Sequence, residues 1–207
     1  MKNFQTIEFD TQTYERELNE YEQLLQDNHA LTEQNQILPF FRERPFLASR
    51  IALLVPELFK IDKIAYEFDL FGDFACDMVI GDSDNQAYCF VEFEDAQPTS
   101  VFATKKTKFQ SEFSYRFEHG YSQIIDWFYL LNHISPYQIE QRFDATKIDF
   151  HGVLIIGRSH FIENPNLRNR LKWRSKNVVV DSKRVLVFTY DDLLNLLKYR
   201  LEYKIFK

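Results

Sequence analysis

Between residues 63 and 94 apolar and polar positions alternate with the period of a β-strand. In "KIAYEFDLF" (63–71), Ile64, Tyr66, Phe68 and Leu70 fall on one face, and Lys63, Glu67 and Asp69 on the other. "FACDMVIGD" (74–82) follows across Gly72-Asp73, and "AYCFVEFE" (87–94) follows the turn-rich "SDN". Three runs joined this tightly predict an antiparallel meander. The period then lengthens. Phe113, Phe117, Tyr121, Ile124, Phe128 and Leu131 recur at helical spacing and predict a helix over about 112–132.

Further on, "DFHGVLIIGRS" (149–159) predicts a buried strand ending at Gly157. A helix over about 163–175, two short strands "NVVV" and "VLVF", and a last helix N-capped by Thr189 complete the order. Upstream of the meander, residues 37–56 predict an aromatic turn and one buried helix between Pro45 and Pro56. Residues 11–28 form a polar helix whose thin stripe is Tyr14, Leu18, Tyr21, Leu24 and Leu25, as in a peripheral or partner-facing arm. The reading is therefore an N-terminal helical arm (1–36) and an α/β domain (37–207) with a mixed sheet flanked by helices.

Composition rules out disorder: 45% of residues are hydrophobic and 16% aromatic, with only 5 Gly and 6 Pro. No apolar run approaches the ~20 residues that span a bilayer, and the start lacks a signal-like apolar segment. Cys76 and Cys89 sit in apolar strands and give neither a disulfide framework nor a zinc pattern, so a cytoplasmic protein is expected. The net charge of -6 conceals a basic run, with Arg168, Arg170, Lys172, Arg174, Lys176, Lys183 and Arg184 against Asp181 alone. Such a run is either a footprint for phosphate or a solvated helix and turn.

The third strand carries the chemistry. Its apolar start gives way to Glu92 and Glu94, which stand two apart and so share a face. Asp77 interrupts the preceding strand and can lie level with them. Like charges on neighbouring strands repel, and a divalent cation relieves the repulsion. Oxygen ligands alone suit Mg²⁺ or Mn²⁺. Nucleophilic alternatives lack support, since no GxSxG, Walker A, GxGxxG or HExxH stretch is present.

Asp77, then Glu92-x-Glu94 on two strands after a helix and before a helix and strand, resembles the αβββαβ core of the PD-(D/E)xK nucleases. "SQIIDWF" places Gln123 and Trp127 four apart, similar to the Gln-x-x-x-aromatic motif of some members. More narrowly, "FDLFGDFACDMVIGD", "FVEFEDA", "RFEHGYSQIIDWF", "HGVLIIGRS" and "TYDDLL" resemble the nuclease domain of the Shedu anti-phage defence proteins over roughly 35–207. The resemblance implies a metal-dependent DNA endonuclease, often a homo-oligomer. In that frame Asp77, Glu92 and the Phe93 carbonyl hold Mg²⁺ or Mn²⁺, Glu94 binds or orients the attacking water, and Gln123 holds that water or a phosphate oxygen. Lys105, Lys106, Lys108 and Arg158 are expected to contact DNA phosphates. Glu94 departs from the pattern, because the superfamily usually has Lys there. The rival readings are a degenerate nuclease fold that binds nucleic acid or protein without cutting, and an interaction protein assembling through 11–28.

Overall fold

The computed structural model describes residues 4–103 and 110–203. A two-residue strand, β1 (Gln5–Thr6), precedes helix α1 (Thr11–Asp27), whose first turn is capped by the Asp10 carboxylate. The aromatic turn expected from 37 holds a short helix, α2 (Leu38–Arg42), and the helix expected between Pro45 and Pro56 starts at Pro45 as α3 (Pro45–Ser49) but passes into a 3₁₀ turn (Arg50–Leu54); a π turn at Glu33–Ile37 precedes them. Pro45 explains the break between α2 and α3: it lacks an N–H, starts a new helix readily and disfavours helical geometry at the residue before it. Arg44 accordingly leaves the helical region.

The meander forms, but the single apolar face expected on its first strand does not: Ile64 and Tyr66 pack in one core, Phe68 and Leu70 in the other. Strands β2 (Lys63–Leu70), β3 (Phe74–Asp82) and β4 (Ala87–Phe93) pair antiparallel in sequence. A small ladder, β5 (Phe102–Ala103) with β6 (Glu112–Phe113), leads into α4 (Tyr115–His133), capped by Ser114. Helix α5 (Pro136–Phe143) has no counterpart in the sequence reading. Strand β7 (Asp149–Ile155) pairs parallel with β4. Helix α6 (Pro165–Asn177) then crosses to β8 (Val185–Phe188), parallel to β7. The predicted strand at "NVVV" does not form. Asn177 ends α6, and only a Val180–Lys183 bridge closes over Asp181 and Ser182, both at positive φ. The sheet order is β1-β2-β3-β4-β7-β8, and α7 (Tyr190–Glu202) follows under a Thr189 cap.

Every residue of β4 is buried, because helices cover both faces of the mixed sheet. Cys89, Val91 and Phe93 face a core built with Tyr14, Leu18 and Tyr21 of α1 and Tyr190, Leu193 and Leu197 of α7. Tyr88 and Phe90 face the other core, with Phe117, Tyr121, Ile124, Trp127 and Phe128 of α4. The α1 stripe therefore faces inward rather than toward a partner. Its Tyr21 hydroxyl donates to the Tyr190 carbonyl at 2.9 Å and its Tyr14 hydroxyl to the Leu197 carbonyl at 3.3 Å. No helix among the described residues is long and apolar enough to cross a membrane.

Helix α4 rests directly on β7 at Gly152, where an added Cβ would fall 2.2 Å from Ile124 Cγ2 and 3.0 Å from the Phe128 ring. Gly152→Ala must push α4 off the sheet. A loss of about 3 kcal/mol is expected in urea unfolding, at the upper end of ordinary overpacking costs. An unchanged midpoint would contradict this packing.

Candidate functional site

The ladder between β3 and β4 ends at Met78 and Val91, so the next position outward sets Asp77 opposite Glu92. The β2–β3 pairing is also interrupted here. Tyr66 pairs with Met78 and Phe68 with Cys76, whereas Glu67, at φ 46°, and Asp77 are skipped. Tyr66 and Met78 pack in the α1 core, but Phe68 and Cys76 pack in the α4 core. The alternation thus changes face at Asp77. Released from it, the Asp77 carboxylate accepts the Phe93 N–H at 2.8 Å, where β3 no longer offers a main-chain partner.

Glu92 and Glu94 complete β4 under α4. They are 8% and 3% exposed, far too little for the solvated end of an edge strand. Gly120 allows the close approach: a Cβ there would stand 3.1 Å from Glu94 Oε1 and 2.9 Å from Leu154. One turn earlier on α4, Arg116 Nη1 donates to Glu94 Oε2 at 2.8 Å, and His119 Nδ1 lies 3.4 Å from Glu94 Oε1. The same guanidinium reaches Glu33 at 3.1 Å and Asp95 at 3.2 Å. Asp95 also accepts the Glu33 N–H at 2.7 Å.

Gln123 follows Gly120 by one turn. On β4, Phe90 meets Trp127 with ring centroids 6.4 Å apart, and Glu94 meets Gly120. Glu92 and Gln123 occupy the intermediate position on strand and helix, which brings them to one level. The Gln123 side chain is half-buried, with a buried Oε1 that has no hydrogen-bond partner. Trp127 is fully buried and belongs to the core.

The electrostatics separate these acids from structural ones. Buried Asp82, on the same β3, is held below the usual carboxylate range. Burial alone would raise it, but donors from Asn85, Lys60 and Phe59 outweigh that penalty. Glu92 is pushed far up by burial and by the charges of Asp77, Glu94 and Glu33, and its buried Oε2 has no hydrogen-bond partner among the described residues. Asp77 is raised by burial despite the Phe93 N–H. Glu94 is raised by burial against the opposing pull of Arg116. Buried carboxylates this poorly compensated suit a protonated state or a bound cation.

Among the described residues no three His, Cys, Asp or Glu side chains form a ready-made metal cage. The set that fits a cation is smaller: the carboxylates of Asp77 and Glu92 beside the main chain of Phe93. It contains only hard oxygens, and the buried Glu92 Oε2, without a hydrogen-bond partner among the described residues, is the observation that favours it.

The remaining sequence candidates fare differently. Lys105, Lys106 and Lys108 lie outside the described residues. Arg158, expected at phosphate, is instead an internal clamp and only 6% exposed. Its guanidinium binds Asp191 at 3.0 Å and the carbonyls of Asn28 and Leu25 at 2.7 and 2.9 Å, which occupies its donors. On α4, Glu118 is held by Arg174 in a two-point pair at 2.7 and 2.6 Å. Sequence reasoning missed Arg116 and Glu33. Arg116 was within reach, since it stands seven residues before Gln123 and so on the same side of the helix. Glu33 gave no local signal. It arrives through the Leu31–Ala96 bridge, which lays residues 31–33 beside the end of β4.

A carboxylate raised by burial destabilises the fold wherever it is ionised. The cost of Glu92 is absent below the unfolded Glu pKa of about 4.3 and grows as pH rises above it. In chelator at pH 7, Glu92→Gln is therefore expected to raise the thermal midpoint by roughly 2–4 °C, corresponding to about 1 kcal/mol. The gain should vanish near pH 4. A lowered midpoint at pH 7 would mean that Glu92 has a structural partner.

A family model described as Shedu protein SduA, C-terminal, matches residues 30–194. A search of curated proteins returns no match. The matched stretch takes in Glu33, Asp77, Glu92, Glu94, Arg116 and Gln123, and ends within α7. With most of its length matched in this way, the chain belongs to the Shedu family of anti-phage defence proteins.

Proposed function

We propose that this chain is a Mg²⁺- or Mn²⁺-dependent DNA endonuclease acting in anti-phage defence. The observation that carries the reading is a buried Glu92 carboxylate oxygen, without a hydrogen-bond partner among the described residues, close enough to Asp77 and Glu94 to feel their charges. Asp77 and Glu92, with the Phe93 carbonyl, would hold the cation. When bound, it supplies Lewis-acid stabilisation of a phosphoryl oxygen and a lowered pKa for the attacking water.

The chain's own groups supply the rest. Glu94, raised by burial and held by Arg116 and His119, is oriented to accept a proton from that water. Gln123 offers its amide to the water or to a phosphate oxygen. Arg116 stands beside Glu94, where the superfamily pattern has Lys, and its side chain is 44% exposed. It can therefore turn part of its guanidinium toward a phosphate and supply the positive charge that Glu94 removes. DNA as substrate and a homo-oligomeric assembly belong to this reading on the strength of the Shedu family.

One observation favours a second reading, a nuclease fold that binds without cutting. Arg116 already pairs with Glu94, Glu33 and Asp95, and this arrangement neutralises part of the site without any cation. Cleavage assays decide between the two. Linear, nicked and supercoiled DNA with Mg²⁺ or Mn²⁺ should be cut by the natural chain, with activity reduced about 10³-fold or more in Asp77→Asn and Glu92→Gln. Arg116→Ala should slow cutting by about 10²-fold, with Arg116→Lys restoring part of it. Undiminished cutting by Asp77→Asn would remove the site assignment, and no cutting by the natural chain would favour the binding module.

A further inference from the structure

The basic run at 168–184 takes a definite shape in the fold. Arg168, Lys172 and Lys176 recur every four residues on α6 and form one ridge. Arg184 precedes β8 on the facing side. Between them lies a groove of about 560 Å³ with Leu171, Leu186 and Phe188 among its lining residues. That volume falls within the usual range of ligand pockets.

The groove gathers cations without acid partners. Several exposed or half-buried cations elsewhere pair with acids, as Lys60 does with Asp84, Lys183 with Asp149 and Lys198 with Glu22. Lys172, Lys176 and Arg184 are exposed and make no ion pair among the described residues. The acid lining the groove, Asp192, accepts from the Thr189 hydroxyl at 2.7 Å and so is engaged in its own helix cap. Peptide addition to the β8 edge is disfavoured, because the Ser175 hydroxyl already donates to the Val185 carbonyl and accepts the Val187 N–H. An apolar floor beneath unpaired cations instead matches a phosphate chain with its bases turned inward.

The groove opens at the same end of the sheet as the carboxylates, but its floor lies on the other face: Phe188 is in register with Ile155 and Phe93, opposite the side that carries Glu92 and Glu94. Strands β4, β7 and β8 are parallel, so Glu94 and Thr189 lie at the same end of the sheet, two strand spacings or about 10 Å apart. Tyr190, next to Thr189, donates its hydroxyl to the Glu94 carbonyl at 2.8 Å.

We propose that the α6–β8 groove binds a single-stranded DNA segment, with phosphates on Lys172, Lys176 and Arg184 and bases against Leu186 and Phe188. A duplex keeps its base faces stacked and cannot use the apolar floor. This binding stands independently of the nuclease reading.

The test is fluorescence anisotropy of a labelled twelve-nucleotide oligothymidylate with the full chain in EDTA, so that no cleavage enters. Lys172→Glu/Lys176→Glu/Arg184→Glu should weaken binding by about tenfold or more and flatten the salt dependence by about two in log–log slope. Leu186→Asp should weaken binding with the charges intact, and circular dichroism should show all variants folded. Unchanged affinity in the folded charge variant, or preference for a duplex of equal length, would overturn the proposal. Groove-dependent binding by a chain that cuts no DNA would uphold the groove and reject the nuclease reading. Metal-dependent cutting with a groove that binds nothing would do the reverse.

Discussion

Strand β4 is buried along its whole length, yet it runs into two carboxylates that also lie out of solvent. Desolvation of charge at that point is the constraint around which the neighbouring structure is arranged. The Phe93 N–H is given to Asp77, and Arg116 and His119 reach down to Glu94 past a glycine that admits the helix. Glu33 and Asp95 share the same guanidinium. These contacts compensate Glu94 in part and leave Glu92 almost uncompensated. A fold selected for stability alone would place an amide or an apolar group there, and would gain from doing so. An acid kept in such surroundings is consistent with a charged ligand that stabilises the folded chain when it binds.

The other face of the sheet holds that end of β4 in place. Tyr190 opens α7 and donates to the Glu94 carbonyl, while Tyr21 from α1 donates to the Tyr190 carbonyl. Beside them Arg158 joins the end of α1 to Asp191 in the first turn of α7. Helix α1 therefore reaches the site through two tyrosines and an arginine. A segment with a stripe as thin as Tyr14, Leu18 and Tyr21 is integrated because the two tyrosine rings are large and their hydroxyls find buried carbonyls.

What was legible in the sequence divides along physical lines. Period-two alternation identified β2, β3 and β4, and the Thr189 cap marked α7, because these signals are local. That Asp77 can lie level with Glu92 and Glu94 was legible for the same reason, since a short link limits the register of two consecutive strands; the choice of Glu92 came from the ladder. Arg158 was misread. Its place after the last core strand suggested solvent, but its partners come from residues 25, 28 and 191, which no local pattern connects to it. Glu33 was invisible on the same ground. The 37–56 segment was legible in part: Pro45 marked where a helix begins, but the apolar run after it gave no sign that the helix passes into a 3₁₀ turn at Arg50.

The central claim is that Asp77 and Glu92 form a cation site. Calorimetric titration of Mn²⁺ into the full chain, beside the Asp77→Asn/Glu92→Gln variant, tests it most directly because it requires neither substrate nor turnover. The account predicts saturable binding near one ion per chain, abolished in a variant that remains folded. Equal binding by both proteins would place the cation elsewhere, and no binding by the natural chain at millimolar Mn²⁺ would contradict the claim.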